Sequence, residues 1–273
     1  MPYDDILEFS KDLARRAGQL IVAERESEAT LEHEFKAGDE LVTSADIKAD
    51  QFITAGIKAA FPGHQIISEE LAPQDQFQEP AGPCWIIDPI DGTVNFAHGH
   101  RQSAVCIAFA DQGRVRSGVV YNPFTDELFC ARQGGGAHLN GQRIQVSREA
   151  QLRRALIATG FPYEKSALEP LVRRVLAVLR HCADIRRLGS AALDICWVAC
   201  GRLDGYYESL SLWDFSAAQL IAREAGARFG HFLPPPEGAN PEFHGKHILI
   251  ANPQLFPQLL SVLQAAELEP PQT

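Results

Sequence analysis

Two carboxylates at the end of an apolar strand are the first chemistry this sequence offers. Trp85-Ile86-Ile87 runs into Asp88-Pro89-Ile90-Asp91-Gly92-Thr93-Val94-Asn95-Phe96. Pro89 stiffens the exit turn, Gly92 lets backbone approach a ligand closely, and Thr93 adds a hydroxyl. Asp88 and Asp91 repel each other unless a cation sits between them. Hard cations such as Mg²⁺ take oxygen ligands and leave room for phosphate oxygens. A solvated turn is the bland alternative, because Asp, Pro and Gly are common in turns. Two further acidic ends favour a site. Ile66-Ile67-Ser68-Glu69-Glu70 is a second apolar run ending in paired carboxylates, and Trp213-Asp214 opens a helix just after a short strand. Asp214 by itself reads as a helix N-cap. Three acidic strand or helix ends in one chain read as ligands gathered at one rim.

The elements that must position these groups follow from hydrophobic period. Ile6, Phe9, Leu13, Ala17, Leu20 and Ile21 recur at helical spacing, and Ser44 or Asp46 can cap a second helix carrying Ile47, Phe52, Ile53, Ile57 and Ala60. Short strands are predicted at 65–67, 85–87, 103–110, 114–121, 128–132 and 142–146, with Asp111-Gln112-Gly113 turning one hairpin. Gly134-Gly135-Gly136 lacks a following Gly-Lys-Ser/Thr, so it is a turn and not a phosphate loop. After residue 151 the pattern alternates. Strands are expected at 156–158, 184–187, 205–207 and 247–251, and helices at 168–180, 190–200, 213–225 and 253–265. The first half is thus helices on a mostly antiparallel sheet, the second more α/β. The proline-containing loop 233–245 is expected on the surface.

Composition narrows the function classes. Lys and Arg number 25 against 35 Asp and Glu, a formal charge of −10. A nucleic-acid binder needs a positive face, and anionic lipid repels such a chain, so neither nucleic acid nor membrane is an expected partner. Phosphate substrates stay open, because bound cations invert the local field. No apolar run spans a bilayer, and Asp4, Asp5 and Glu8 stand where a secretory signal needs basic residues. A cytoplasmic enzyme is the expectation. The six cysteines form no C-x-x-C pair and read as buried, reduced thiols. His98-Gly99-His100 reads as a solvated loop, and Asp194, Cys196 and Cys200 as ordinary packing and surface positions.

Taken together, Glu69-Glu70, the 88–96 block and Trp213-Asp-Phe-Ser-Ala-Ala-Gln-Leu-Ile-Ala-Arg-Glu-Ala-Gly226 resemble the inositol monophosphatase family of Mg²⁺-dependent, lithium-sensitive phosphatases. Leu41-Val42-Thr43-Ser44-Ala45-Asp46, Gly189-Ser190-Ala191-Ala192 and Gly205-Tyr206-Tyr207-Glu208 match further blocks. The resemblance runs from about residue 14 to about residue 260; the ordered set is specific, any one block is not. It implies an α+β, layered αβαβα sandwich of the inositol monophosphatase and fructose-1,6-bisphosphatase type. Residues 1–151 would form the metal-binding half and 152–273 the half completing the site. Glu69, Asp88 and the Ile90 carbonyl would hold one Mg²⁺, and Asp88, Asp91 and Asp214 a second, with a third, weaker ion near Glu69. Backbone N–H groups of Gly92 and Thr93 would receive the phosphate. Asp46 and Thr93, with Glu70, would be the catalytic set orienting the attacking water, which needs no phosphoenzyme. Asp91, Gly189, Ser190, Ala191 and Glu208 would face the substrate, a small phosphorylated polyol or sugar. Lys36 would lie near the third ion. A homodimer is also implied.

Four positions at three places depart from the family pattern. Val94 replaces a second Thr, Arg101-Gln102 stands where a Pro-aromatic pair is usual, and Ala227 replaces a second Gly. None is a proposed ligand. Myo-inositol monophosphate is the expected substrate. The blocks Thr159-Gly-Phe-Pro-Tyr163 and Leu188-Gly-Ser-Ala-Ala192 look more like the inositol branch than like a 3′(2′),5′-bisphosphate nucleotidase. Fructose-1,6-bisphosphatase is the other alternative. A haloacid-dehalogenase-type phosphatase fails on spacing, since two residues separate Asp88 from Asp91. A non-catalytic regulatory protein on the same scaffold should have lost a ligand, and here Asp46, Glu69, Asp88, Asp91, Thr93 and Asp214 are all present.

Overall fold

The computed structural model describes residues 3–27, 33–35, 41–70, 82–162 and 168–268. Lys36 and Tyr163 lie outside the described residues. In chain order the elements are α1 (Tyr3–Glu26), β1 (His33–Phe35), β2 (Leu41–Thr43), α2 (Ser44–Ala60), β3 (Gln65–Ser68), β4 (Cys84–Asp91), a short α3 (Thr93–Ala97), β5 (Ala104–Asp111), β6 (Arg114–Asn122), β7 (Glu127–Arg132), β8 (Gly136–Leu139) and β9 (Gln142–Arg143). Then come β10 (Leu156–Thr159), α4 (Leu168–His181), β11 (Asp184–Arg186), α5 (Ala191–Ala199), β12 (Gly205–Glu208), α6 (Leu212–Glu224), β13 (Arg228–His231), β14 (Ile248–Ala251) and α7 (Phe256–Leu268).

Strands β3 to β9 form a seven-stranded sheet in sequential order, antiparallel except for the parallel pair β3 and β4. A five-stranded mixed sheet has the order β11-β10-β12-β14-β13. Side-chain alternation along the strands sorts the core into layers. Trp85, Ile87, Ile107 and Val119 point to α1 and α2, packing with Leu13, Ile21, Ile53 and Ile57. Their neighbours Ile86, Cys106, Ala108 and Val120 point the other way, onto α5 and α6. Those two helices also cover Tyr206, Ile248 and Ile250 of the second sheet. On the outer face of that sheet, Ile157, Leu249 and Ala251 pack against Val178 of α4 and Leu259 and Leu263 of α7. The result is a layered α+β fold, helices–sheet–helices–sheet–helices.

Several boundaries differ from the sequence reading, each for a local reason. Thr43, not Ser44 or Asp46, caps α2; Asp46 is the third residue of the helix and completes a capping box. Strand β9 stops at Arg143, because the Val146 N–H bonds to the Ala225 carbonyl at the end of α6 (3.1 Å). Helix α7 starts at Phe256 because Asn252 Oδ1 takes the N–H groups of Gln254 and Leu255 and holds 253–255 as a turn. The strands β8 and β13 and helix α3 were too short to carry a readable period. Five cysteines are buried, Cys200 is half-buried, and all six are free.

Candidate active site

The two acids of β4 share a face because the strand is irregular. Residues three apart in a regular strand point to opposite sides. Here Asp88 pairs with Cys106 and Asp91 with Ala104, so three steps on β4 oppose two on β5. This bulge restores the parity, and Pro89, which has no N–H to donate, suits it. One carboxylate oxygen each of Asp88, Asp91 and Asp214 then lies within 4.8 Å of the others.

Each acid is held by a separate device. Ile90 N–H donates to Asp88 Oδ1 (3.0 Å). Asp91 is gripped by the start of α5, where Ser190 Oγ donates to Oδ2 (2.5 Å), Ala192 N–H to Oδ2 (2.8 Å) and Ala191 N–H to Oδ1 (3.3 Å). A helix N-terminus favours a carboxylate there. Asp214 is the third residue of α6 and takes the Ser211 N–H on Oδ2 (2.8 Å). Ser211, not Asp214, is the N-cap of α6; Asp214 closes the capping box from the third position through Oδ2 while also belonging to the acidic cluster.

Asp46 repeats the arrangement on α2. Its Oδ2 accepts from the Thr43 N–H (2.8 Å) and hydroxyl (2.5 Å), and its Oδ1 from the Thr93 hydroxyl (3.1 Å). The single Thr93 proton is shared with the Ile90 carbonyl, also 3.1 Å away. Gly92, at φ +91°, precedes α3; a Cβ there would lie 2.7 Å from the Gln102 carbonyl oxygen, so only glycine fits. The first α-type bond of α3 runs from Phe96 N–H to the Gly92 carbonyl, leaving Thr93 and Val94 N–H ahead of it. Asn95 Nδ2 ties this turn to the carbonyls of Gln102 (2.8 Å) and Leu188 (2.7 Å). The contact at 101–102 uses backbone oxygens, so the unusual Arg101-Gln102 pair is accommodated.

Glu69 follows β3, its N–H bonded to the Ile87 carbonyl (3.2 Å), and its charge acts on Asp88. Glu70 acts in the same way on Asp46. A cleft of about 480 Å³ opens beside Asp91 and Asp214, and Gly92, Gly189, Ser190, Ala191 and Glu208 line it as well. Among the described residues, the structure thus brings Asp46, Glu69, Glu70, Asp88, Asp91, Thr93, Glu208 and Asp214 to this region, while Lys36 lies outside them. Residues that the sequence did not flag also line it: Arg187, stacked on Phe161 at 5.4 Å, Tyr206, and Asp194. Asp194 corrects the reading of an ordinary packing or surface position, since it is buried at the cleft. An acid alone in an apolar helix was the available signal.

The family model for the inositol monophosphatase family matches residues 3–267. The chain belongs to the inositol monophosphatase family. The Nus factor SuhB of Vibrio cholerae is 42% identical over 219 residues, which is 78% of this chain and 80% of that protein. The crystal structure of the extragenic suppressor protein suhB from Bartonella henselae superposes with a TM-score of 0.86 at 34% identity, covering 95% of this chain and 98% of its own. The Thermotoga maritima IMPase gives a TM-score of 0.83 at 32% identity, covering 96% and 98%. These likenesses span the whole layered fold.

The electrostatics of this member of the family are those of a site built for cations. Burial pushes Asp88 well above the usual carboxylate range, reinforced by Glu69, Asp91 and Asp214. Burial lifts Asp91 and Asp46 to about 6, against the hydrogen bonds from Ser190 and Thr43. Glu208 rises to about 7 through burial, opposed by the Tyr206 hydroxyl and Arg187. Oxygen-only donors, buried and mutually repelling, fit a hard divalent ion such as Mg²⁺. A raised folded-state value favours folding while the group is protonated. That contribution is complete below the unfolded value of about 4 and is lost as pH rises through 6 to 7. The protein in EDTA should therefore melt lower at pH 7.5 than at pH 5. Mg²⁺ at 100 times its dissociation constant should recover roughly 5–10 °C at pH 7.5 and less at pH 5. Thermal melts at the two pH values, with and without Mg²⁺, check this.

Proposed function

We propose that this chain is a Mg²⁺-dependent phosphomonoesterase that hydrolyses myo-inositol monophosphate to inositol and phosphate. The observation that carries the reading is the meeting of Asp88, Asp91 and Asp214 within 4.8 Å, with the Asp46–Thr93 pair joined to them through Ile90. Asp88, Asp91 and Asp214 would hold one Mg²⁺, and Glu69, Asp88 and the Ile90 carbonyl another. Bound there, Mg²⁺ offsets the phosphate charge and makes nearby water more acidic. The remaining work falls to the chain. Thr93 Oγ, its proton directed to Asp46 Oδ1, presents a lone pair that orients the attacking water. Asp46 Oδ1 then takes up the proton. Glu70, whose charge reaches Asp46, would help order that water. Backbone N–H groups of Gly92 and Thr93 hold phosphate oxygens, and Glu208 with the Gly189-Ser190-Ala191 turn receives the polyol. Lithium inhibition accompanies this reading.

Comparison of kcat/KM for myo-inositol 1-phosphate, fructose 1,6-bisphosphate and adenosine 3′,5′-bisphosphate tests the substrate. The inositol ester should lead, and a lead for either bisphosphate would reassign the branch. The relatives' name, Nus factor, favours a second reading, a regulatory role on this scaffold. Retention of all six acidic and hydroxyl site residues supports catalysis as well. Absence of Mg²⁺-dependent hydrolysis across the three esters would leave the regulatory role.

No described helix is long and apolar enough to cross a membrane, and the cytoplasm is the compartment we assign. A homodimer is part of the proposal. On α4, Leu168, Val172 and Leu179 are exposed along one helical face. Val172→Asp should shift the mass seen by light scattering from dimer to monomer; an unchanged mass removes this face from the interface.

A further inference from the structure

Every residue of α5 is apolar except Asp194. Asp194 is 2% exposed, and its Oδ1 has no hydrogen-bond partner. It nevertheless lines the cleft, in the company of Asp91, Tyr206 and Glu208. Its N–H bonds to the Ser190 carbonyl (3.0 Å), so it lies one helical turn below the residues that grip Asp91. A buried, unpartnered carboxyl destabilises a fold, and a leucine would pack better among these neighbours. Residues that cost stability in this way concentrate where a ligand supplies the missing partner. Glu208 already accepts the Tyr206 hydroxyl on Oε2, so its capacity toward a ligand is partly used.

We propose that Asp194 is a specificity-determining residue, the inner hydrogen-bonding partner of a hydroxyl on the leaving alcohol beyond the one met by Glu208. The cleft would thereby select phosphate monoesters of polyols carrying several hydroxyls over esters that carry none. Only Arg187 offers a cation among the residues lining this cleft, so a second phosphate on the alcohol finds four carboxyls and one guanidinium. The proposal rests on the phosphatase reading above and adds a residue and a substrate class to it.

The test compares kcat/KM for myo-inositol 1-phosphate with that for an aryl phosphate lacking hydroxyls. In Asp194→Leu and Asp194→Ala the ratio should fall about 10- to 100-fold, with the loss mainly in KM. Asp194→Asn, which retains hydrogen-bonding atoms of similar shape, should restore most of the ratio. The melting temperature of the Leu variant should equal or exceed that of the parent protein. An unchanged ratio in both apolar variants, an equal loss on both esters, or loss of the fold in both gives Asp194 a structural role and overturns the proposal. Failure of the parent protein to hydrolyse either ester with Mg²⁺ would instead remove the phosphatase reading, so the two failures are separable.

Discussion

Asp88→Asn is expected to lower phosphate-ester hydrolysis by about 10³-fold or more at saturating Mg²⁺ while the fold persists. Asp88 is shared by both proposed cation sites and is 1% exposed. Its carboxylate repels Glu69, Asp91 and Asp214, so an amide of the same shape relieves repulsion in the metal-free protein. The Ile90 N–H keeps its acceptor, because asparagine retains an oxygen. The melting temperature in EDTA should therefore stay level or rise, and the stabilisation by Mg²⁺ should largely disappear. Circular dichroism and paired melts separate this outcome from simple unfolding. Asp214→Asn should behave alike, since the amide oxygen can still accept the Ser211 N–H that starts α6. Either variant with near-normal turnover would show that the three acids do not act as the cation site.

Thr93→Ala should cost about 10²- to 10⁴-fold in kcat, the range for a positioned proton acceptor. The Thr93 hydroxyl joins two elements far apart in sequence, Asp46 on α2 and the Ile90 carbonyl on β4. Asp46→Asn should lose a similar amount. The double variant should be little worse than either single one, because the two residues act as one unit and not as independent contributors. Additive losses would mean that Asp46 and Thr93 act on separate steps. The capping box of Asp46 with Thr43 gives a control for stability: its loss is worth about 1 kcal/mol, far below the catalytic effect.

Long elements and acidic strand ends were legible in the sequence for physical reasons. Helices α1 and α2 bury one face, so their apolar residues recur at helical period. Strand β4 is buried along its whole length and stands out as an apolar run ending in Asp. The resemblance of ordered blocks supplied the layered fold and the family, which alternation alone could not. Other features depend on tertiary contact and leave no local trace. The bulge that brings Asp88 and Asp91 to one face is a matter of pairing register with β5. Asp214 completes the capping box that Ser211 starts and belongs to the acidic cluster at once, which spacing cannot separate. Arg187 was passed over, and Asp194 was read as an ordinary packing or surface position, because a single charged residue in a helix or strand commonly faces water. The apolar run around Asp194 hinted that it is buried, and the packing shows that it lines the cleft.

The central claim is that the buried acids around Asp88 make this chain a Mg²⁺-dependent phosphomonoesterase. Its most direct test is phosphate release from myo-inositol 1-phosphate by metal-stripped protein as Mg²⁺ is added back, with Asp88→Asn run in parallel. The account predicts no release in EDTA, a saturable rise with Mg²⁺, and a flat response from the variant. Release at the same rate in EDTA, or an Asp88→Asn curve matching that of the parent protein, would contradict it.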